Sequence, residues 1–156
     1  MKKIFLILLI CTPVLFGFNN LEIKIEDKRI FQKQVELKPK PLDSLIEALI
    51  QVESSGDSLA VGDTHLGSPS IGSLQIRPVM VREVNRILQL QGYKKRYKLK
   101  DRKSRKKSIE MFYVWKNFHH KDSDFETIAR CWNGGSSGYK MKATEKYWKK
   151  VKSKLN

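Results

Sequence analysis

A glutamate stands where the sequence calls for a core residue. Ser44 is followed three positions later by Glu47, the spacing of a capping box, in which side chain and backbone satisfy each other's orphan donors at a helix start. Ile46, Leu49 and Ile50 then recur at helical spacing and define one buried stripe. Continued by three or four residues, that stripe arrives at Glu53, and Ser54-Ser55-Gly56 stop the helix directly behind it. A carboxylate at the end of a core-facing stripe is costly unless it is paired or held neutral. Partial burial raises a carboxyl pKa by disfavouring the charged form, and a raised pKa is what a general acid needs. The plainer reading is a core-edge glutamate satisfied by a backbone donor or a lysine. This helix alone leaves both open.

The next segment narrows the choice. Gly72-Ser73-Leu74-Gln75-Ile76-Arg77-Pro78 places a glutamine 22 residues after Glu53. Farther on come Ala129-Arg130-Cys131-Trp132-Asn133-Gly134-Gly135 and Thr144-Glu145-Lys146-Tyr147. Taken in order with Glu53-Ser54, these elements resemble the signature of soluble lytic transglycosylases, which share the lysozyme-like fold with goose-type lysozymes. The resemblance runs from about Leu42 to the C-terminus. Each motif alone is weak, and four in order are specific.

The resemblance implies a mainly α, lysozyme-like single domain with an irregular loop after the catalytic helix. It implies a peptidoglycan-cleaving glycosidase acting on the β-1,4 bond between N-acetylmuramic acid and N-acetylglucosamine. Glu53 would be the sole acid/base, and the substrate's acetamido oxygen would stabilise the oxocarbenium-like centre, one of the exceptions to two-carboxylate chemistry. The product would be a 1,6-anhydro sugar. Ser73 and Gln75 would line the sugar site, Asn133 would hold an N-acetyl group, and Trp132 would offer a flat face to a ring. Tyr147 would reach the Glu53 carboxyl and fix its orientation. The departures lie at Trp132, where the family usually has tyrosine, at Ser73-Leu74 within a pattern often written Ala-x-Gly-Leu-Met-Gln, and at Ala143, which replaces a common glutamate.

The whole chain sets the remaining bounds. Its 156 residues suit one domain plus extensions, and a hydrophobic content of 40% suffices for a single core. The formal charge of +15 implies a polyanionic partner: nucleic acid, an anionic membrane surface, or cell-wall polymer. Met1-Lys2-Lys3 followed by the apolar Ile4 to Phe16 reads as a signal peptide over residues 1–18, too short to span a bilayer comfortably. Gly17 is the small residue at the cleavage site. Cys11 raises the alternative of a lipid anchor, although Ile10 is bulky where a small residue is expected. Residues 19–40, ending Lys38-Pro39-Lys40-Pro41, read as a linker, and 41–156 as the lysozyme-like domain. With the signal removed, Cys131 is the only cysteine and a small core residue.

Between the motifs, residues 57–70 should be irregular, with Gly62, Gly67 and Pro69. Asp57, Asp63 and His65 lie there; an acid among them could serve as a second carboxylate, against the plainer reading of turn and surface residues. Pro78 suits a helix start, Val81, Val84, Ile87 and Leu88 its buried side, and Gly92 its stop. The basic run Lys94 to Lys107 reads as a solvated connection rather than a nucleic-acid surface, because Tyr97 is its sole aromatic. Ile109 to Phe118 forms a buried central helix. His119-His120 at its end supply no third ligand, so no metal and no cofactor is expected. Asp122-Ser123-Asp124 caps a helix leading to Trp132 and Asn133, and the last helix spans roughly 143–154.

The expected partner is therefore peptidoglycan glycan strands, met as a monomer in the periplasm or cell envelope, without nucleic acid. Membrane contact would come only through the signal or a lipid anchor. The competing readings are a hydrolytic lysozyme of the same fold, a basic non-enzymatic binder of anionic envelope polymer or nucleic acid, and a wall-binding module with a dead site.

Overall fold

The structure is a computed structural model, and it describes residues 40–155. The expected signal peptide, the Cys11 alternative and residues 19–39 of the linker lie outside the described residues.

Helix α1 runs Lys40–Ser54, four residues earlier than the Ser44 capping box suggests. Pro41 falls in its first turn, where a missing N–H forfeits no intrahelical bond. Ser44 consequently lies within the helix, and the exposed Glu47 accepts from the Arg105 guanidinium. The stripe is buried as read: Leu45, Leu49 and Ile50 are fully enclosed, with Ile46 and Ala48 beside them. Ser55 and Gly56, both at positive φ (54° and 92°), turn the chain out of the helix.

The segment that follows is mostly irregular but holds one small hairpin. Strand β1 (Val61–Gly62) pairs antiparallel with β2 (Ser70–Ile71), Val61 opposite Ile71 and Gly62 opposite Ser70. Ile71 and Ile76 then exchange backbone bonds of 3.2 and 3.0 Å, which folds Gly72 to Gln75 into a tight turn. Leu74 and Ile76 plug this loop into the core. Helix α2 (Pro78–Leu90) buries Val81, Val84, Ile87 and Leu88, and Gly92 ends it at φ +78°.

The basic run departs from the expected solvated connection. It forms a 3-10 turn, Leu99–Lys103, in which Asp101 and Arg102 are buried. Arg102 donates to the carbonyls of Leu99, Pro69 and Ile76 at 2.9 to 3.0 Å, so its guanidinium staples the turn to the hairpin loop. Lys95 pairs with Glu110 at 2.8 Å and Lys107 with Asp101 at 2.6 Å. The Tyr97 hydroxyl also donates to Glu110, at 2.8 Å. Spacing could not reveal this, because a buried arginine and an exposed one have the same place in a charge run.

Helix α3 (Arg105–His119) is capped by Ser104, whose hydroxyl accepts from the Lys107 N–H. It buries Met111, Phe112, Tyr113 and Trp115, whereas Phe118, expected in the core, is exposed under the Arg86 guanidinium. Helix α4 (Phe125–Gly134) starts at Asp124, which accepts from Thr127 N–H at 2.7 Å, and carries the buried Cys131. After a 3-10 turn, Gly138–Lys140, helix α5 runs Lys142–Lys152. It packs on α4 and on α1, while α2 packs on α3. The result is a mainly helical single domain whose last helix returns to its first.

Candidate functional site

Glu53 sits in the final turn of α1, half-buried, at the point where the apolar stripe leaves the core. Tyr147 comes from the middle of α5, whose Thr144 and Val151 are buried on the same side. Its ring packs partly into the core and its hydroxyl donates to Glu53 Oε1 at 2.6 Å. The packing of α5 on α1 thus delivers one hydroxyl to one carboxyl.

The electrostatics of the pair run in two directions. Burial pushes the Glu53 pKa up to about 7, the Tyr147 hydrogen bond opposes this, and the charge of Asp63 adds to the rise. The Tyr147 phenol is driven far above its ordinary value, chiefly by burial and then by the Glu53 charge, so it remains a donor at every ordinary pH. A carboxyl near 7 is protonated in part of the population at neutrality. It can therefore donate a hydrogen bond as the acid or accept one as the carboxylate.

The loop behind the pair is tied to it through the neighbouring residue. Ser54 Oγ donates to the Ser73 carbonyl at 2.9 Å, which locks the Gly72–Gln75 turn to the end of α1. Ser73 itself is fully buried, and its hydroxyl has no partner among the described residues. Gln75, held at φ +45°, spends its amide inside the loop. Its Nε2 donates to Ala60 O at 3.2 Å and Gly72 O at 2.9 Å, and its Oε1 accepts from Ser70 Oγ at 2.7 Å. Gln75 thus braces the loop from within, and the tie to α1 runs through the Ser73 backbone carbonyl rather than through the Ser73 or Gln75 side chain.

Trp132 and Asn133 lie in the last turn of α4. Trp132 is half-buried, meeting Phe112 and Trp115 edge to face, each at 5.1 Å between ring centroids. Asn133 is exposed and makes no side-chain hydrogen bond among the described residues. The structure thus joins Glu53 and Tyr147 directly, ties Ser73 and Gln75 to them through Ser54, and sets Trp132 in an aromatic cluster. Asn133 shares no side-chain hydrogen bond with the other five among the described residues.

Of the loop acids, Asp57 accepts from Leu59 N–H at 2.7 Å and serves as a turn residue. Asp63 is the one whose charge reaches Glu53, from an exposed position at φ +52° beside β1. The sequence offered three polar candidates in that loop with nothing to rank them. Ser54 was legible only as a helix stop, and its clamp on Ser73 depends on the tertiary fold.

No protein-family model matches the chain, and no curated protein matches it. Among solved structures, it is similar to a chain of the crystal structure of Aeromonas hydrophila PliI in complex with Meretrix lusoria lysozyme, at 20% identity and a TM-score of 0.57, over 70% of this chain and 87% of that one. A likeness at that identity speaks for the fold alone, since activity resides in the side chains placed on a fold.

These findings correct the expectation drawn from the motifs. The structure that the chain resembles is described as a complex of PliI with a lysozyme, not as a lytic transglycosylase, and no model of that or any family matches. The assignments as a soluble lytic transglycosylase or goose-type lysozyme, as a glycosidase on the N-acetylmuramic acid–N-acetylglucosamine bond and as an enzyme are withdrawn accordingly. Short motifs in order specify a loop and its anchor points, and many functions can share both.

Proposed function

We propose that the chain is a binding protein of the cell envelope, holding amino-sugar glycan of the peptidoglycan type at Glu53. The observation that carries this reading is the Glu53 pKa of about 7 under the Tyr147 hydroxyl. A carboxyl kept partly neutral can approach an uncharged, hydroxyl-rich ligand and donate to it. A fully ionised one would have to surrender a larger hydration shell. Asn133, exposed on the last turn of α4, offers a donor and an acceptor suited to an acetamido group. Export belongs to the reading and rests on the Met1-Lys2-Lys3 start and the apolar run behind it.

A protein partner is the second reading. It is favoured by the description of the similar structure, in which PliI and a lysozyme are held in a complex.

The test is calorimetry of the full chain with N-acetylglucosamine oligosaccharides and with a lysozyme, together with sedimentation on purified peptidoglycan. Saccharide binding that weakens as pH rises through 7 and is reduced in Asn133→Ala supports the first reading. A stoichiometric complex with lysozyme and no saccharide binding supports the second. Soluble fragments released from peptidoglycan by the wild type and not by Glu53→Gln would overturn a role limited to binding. Absence of binding to either ligand would overturn both readings.

A further inference from the structure

The net charge of +15 asks where its anion sits. The run Lys94 to Lys107 is the densest in sequence, but its cations are in good part used internally: Lys95 on Glu110, Lys107 on Asp101, Arg105 on Glu47, and Arg102 on backbone carbonyls. Helix α5 is different. Lys142, Lys146, Lys149 and Lys150 are all exposed, and none has an ion-pair partner among the described residues. At 100° per residue these four fall on one side of the helix, opposite the face that buries Thr144 and Val151. Glu145 is the helix's one acid.

Lysines in a last turn favour the helix dipole, which accounts for Lys149, Lys150 and Lys152 by themselves. It does not account for Lys142 and Lys146, which lie in the first half of the helix, where that dipole disfavours a cation. The 142/146 and 146/150 spacings are like-charge i,i+4 pairs, each mildly destabilising to the free helix. An anion lying along the stripe would relieve all of them together.

We propose that the outward stripe Lys142, Lys146, Lys149 and Lys150 of α5 docks linear inorganic polyphosphate, a base-free polyanion. Successive lysines four apart stand about 6 Å apart along the axis, so the ammonium groups form a row that one extended polyanion can follow. The stripe is all lysine, a point-charge donor suited to phosphate, and lacks the arginine fork that selects carboxylates bidentately. The aromatic residues of the helix, Tyr147 and Trp148, pack against the core, so α5 itself presents no ring for base stacking; the exposed Tyr139, under Lys140, belongs to the preceding turn. From Lys142 to Lys152 the helix exposes no large hydrophobic side chain for insertion among lipids. The surface is independent of the Glu53 site, because it faces away from α1.

The probe is inorganic polyphosphate, with oligo(dT) and anionic phospholipid vesicles as comparison ligands. The protein is the full chain carrying four lysine-to-glutamine changes, at Lys142, Lys146, Lys149 and Lys150. The charge-matched control carries the same change at Lys94, Lys100, Lys103 and Lys106. The α5 variant should lose about tenfold or more in polyphosphate affinity at low salt, and its salt slope should shrink by roughly 0.7 per lysine engaged. The control should change less than about threefold, and Glu53→Gln should leave polyphosphate affinity unchanged, which separates this surface from glycan binding. Equal losses in the two variants would reduce the effect to net charge and overturn the proposal. Tighter binding of oligo(dT) or vesicles than of polyphosphate, lost on the same four changes, would overturn it in favour of that other ligand class.

Discussion

Tyr147 and Glu53 lie 94 residues apart in sequence, and the phenol hydroxyl stands 2.6 Å from the carboxyl oxygen. That single bond links the end of the first helix to the middle of the last, and it bears on both the charge of the site and the stability of the fold. Burial raises the carboxyl pKa while the hydroxyl lowers it, and burial wins.

A pH signature in stability follows from that balance. The unfolded glutamate titrates near 4.5 and the folded one near 7, so between these values the folded state binds more protons than the unfolded one. Stability should therefore be intact below about 4.5 and fall as pH rises through 7, by at most ~3 kcal/mol. Glu53→Gln removes the titration. Urea unfolding midpoints measured from pH 4 to 8 should diverge between wild type and variant across this window, the variant staying flatter. Parallel curves would place the carboxyl in water.

Removing only the hydroxyl tests the opposing half. In Tyr147→Phe the carboxylate loses a donor, so the Glu53 pKa should move above its wild-type value. The fold should lose on the order of 1 kcal/mol. Carboxyl-detected NMR titration of the two proteins measures the shift. A Glu53 titration that is unchanged or moves downward would show that the hydroxyl does not hold the carboxylate.

How much of this was legible depends on whether a feature is local. The stripe Ile46, Leu49 and Ile50 is periodic, and so are Val81, Val84, Ile87 and Leu88; periodicity located both buried faces. Glu53 stood out because it breaks such a stripe. The inward use of Gln75 was not legible, because it depends on the Ala60 carbonyl arriving from beside the opposite strand, 15 residues away. Arg102 was hidden for the same reason: its partners Pro69 and Ile76 lie 33 and 26 residues away. Phe118 misled by composition, since an aromatic on a helix with a buried face need not lie on that face.

Gly72 should prove the least replaceable glycine of the loop. It holds φ +86°, and a Cβ there would stand 1.9 Å from the Arg102 carbonyl oxygen, a backbone atom that cannot swing aside. Gly72→Ala should cost more than ~2 kcal/mol, whereas Gly67→Ala, with nothing within 4 Å, should stay within about 0.5 kcal/mol of wild type. Thermal unfolding of the two variants decides it. A Gly72→Ala protein as stable as Gly67→Ala would mean that the 3-10 turn does not press on the loop.

The staple at Arg102 gives the last expectation. Its guanidinium reaches three carbonyls from two segments, and it is 6% exposed in a run where Lys94, Lys98, Lys100 and Lys103 are solvent-exposed. Arg102→Met keeps the aliphatic stem and removes every donor, which leaves the Pro69 and Ile76 carbonyls without their charged partner. The Ile76 carbonyl keeps its bond from the Ile71 N–H, so the loss expected is that of the one unpaired Pro69 acceptor, about 1–3 kcal/mol. Lys103→Met, one residue on, should change stability by less than about 0.5 kcal/mol. Hydrogen exchange adds a local readout. The Gly72, Gln75 and Ile76 amides, bonded to Ala60, Gly72 and Ile71 carbonyls, should exchange faster in Arg102→Met while the α2 amides are affected less. Equal stability of the two variants, with unchanged exchange in the loop, would make Arg102 one more surface cation.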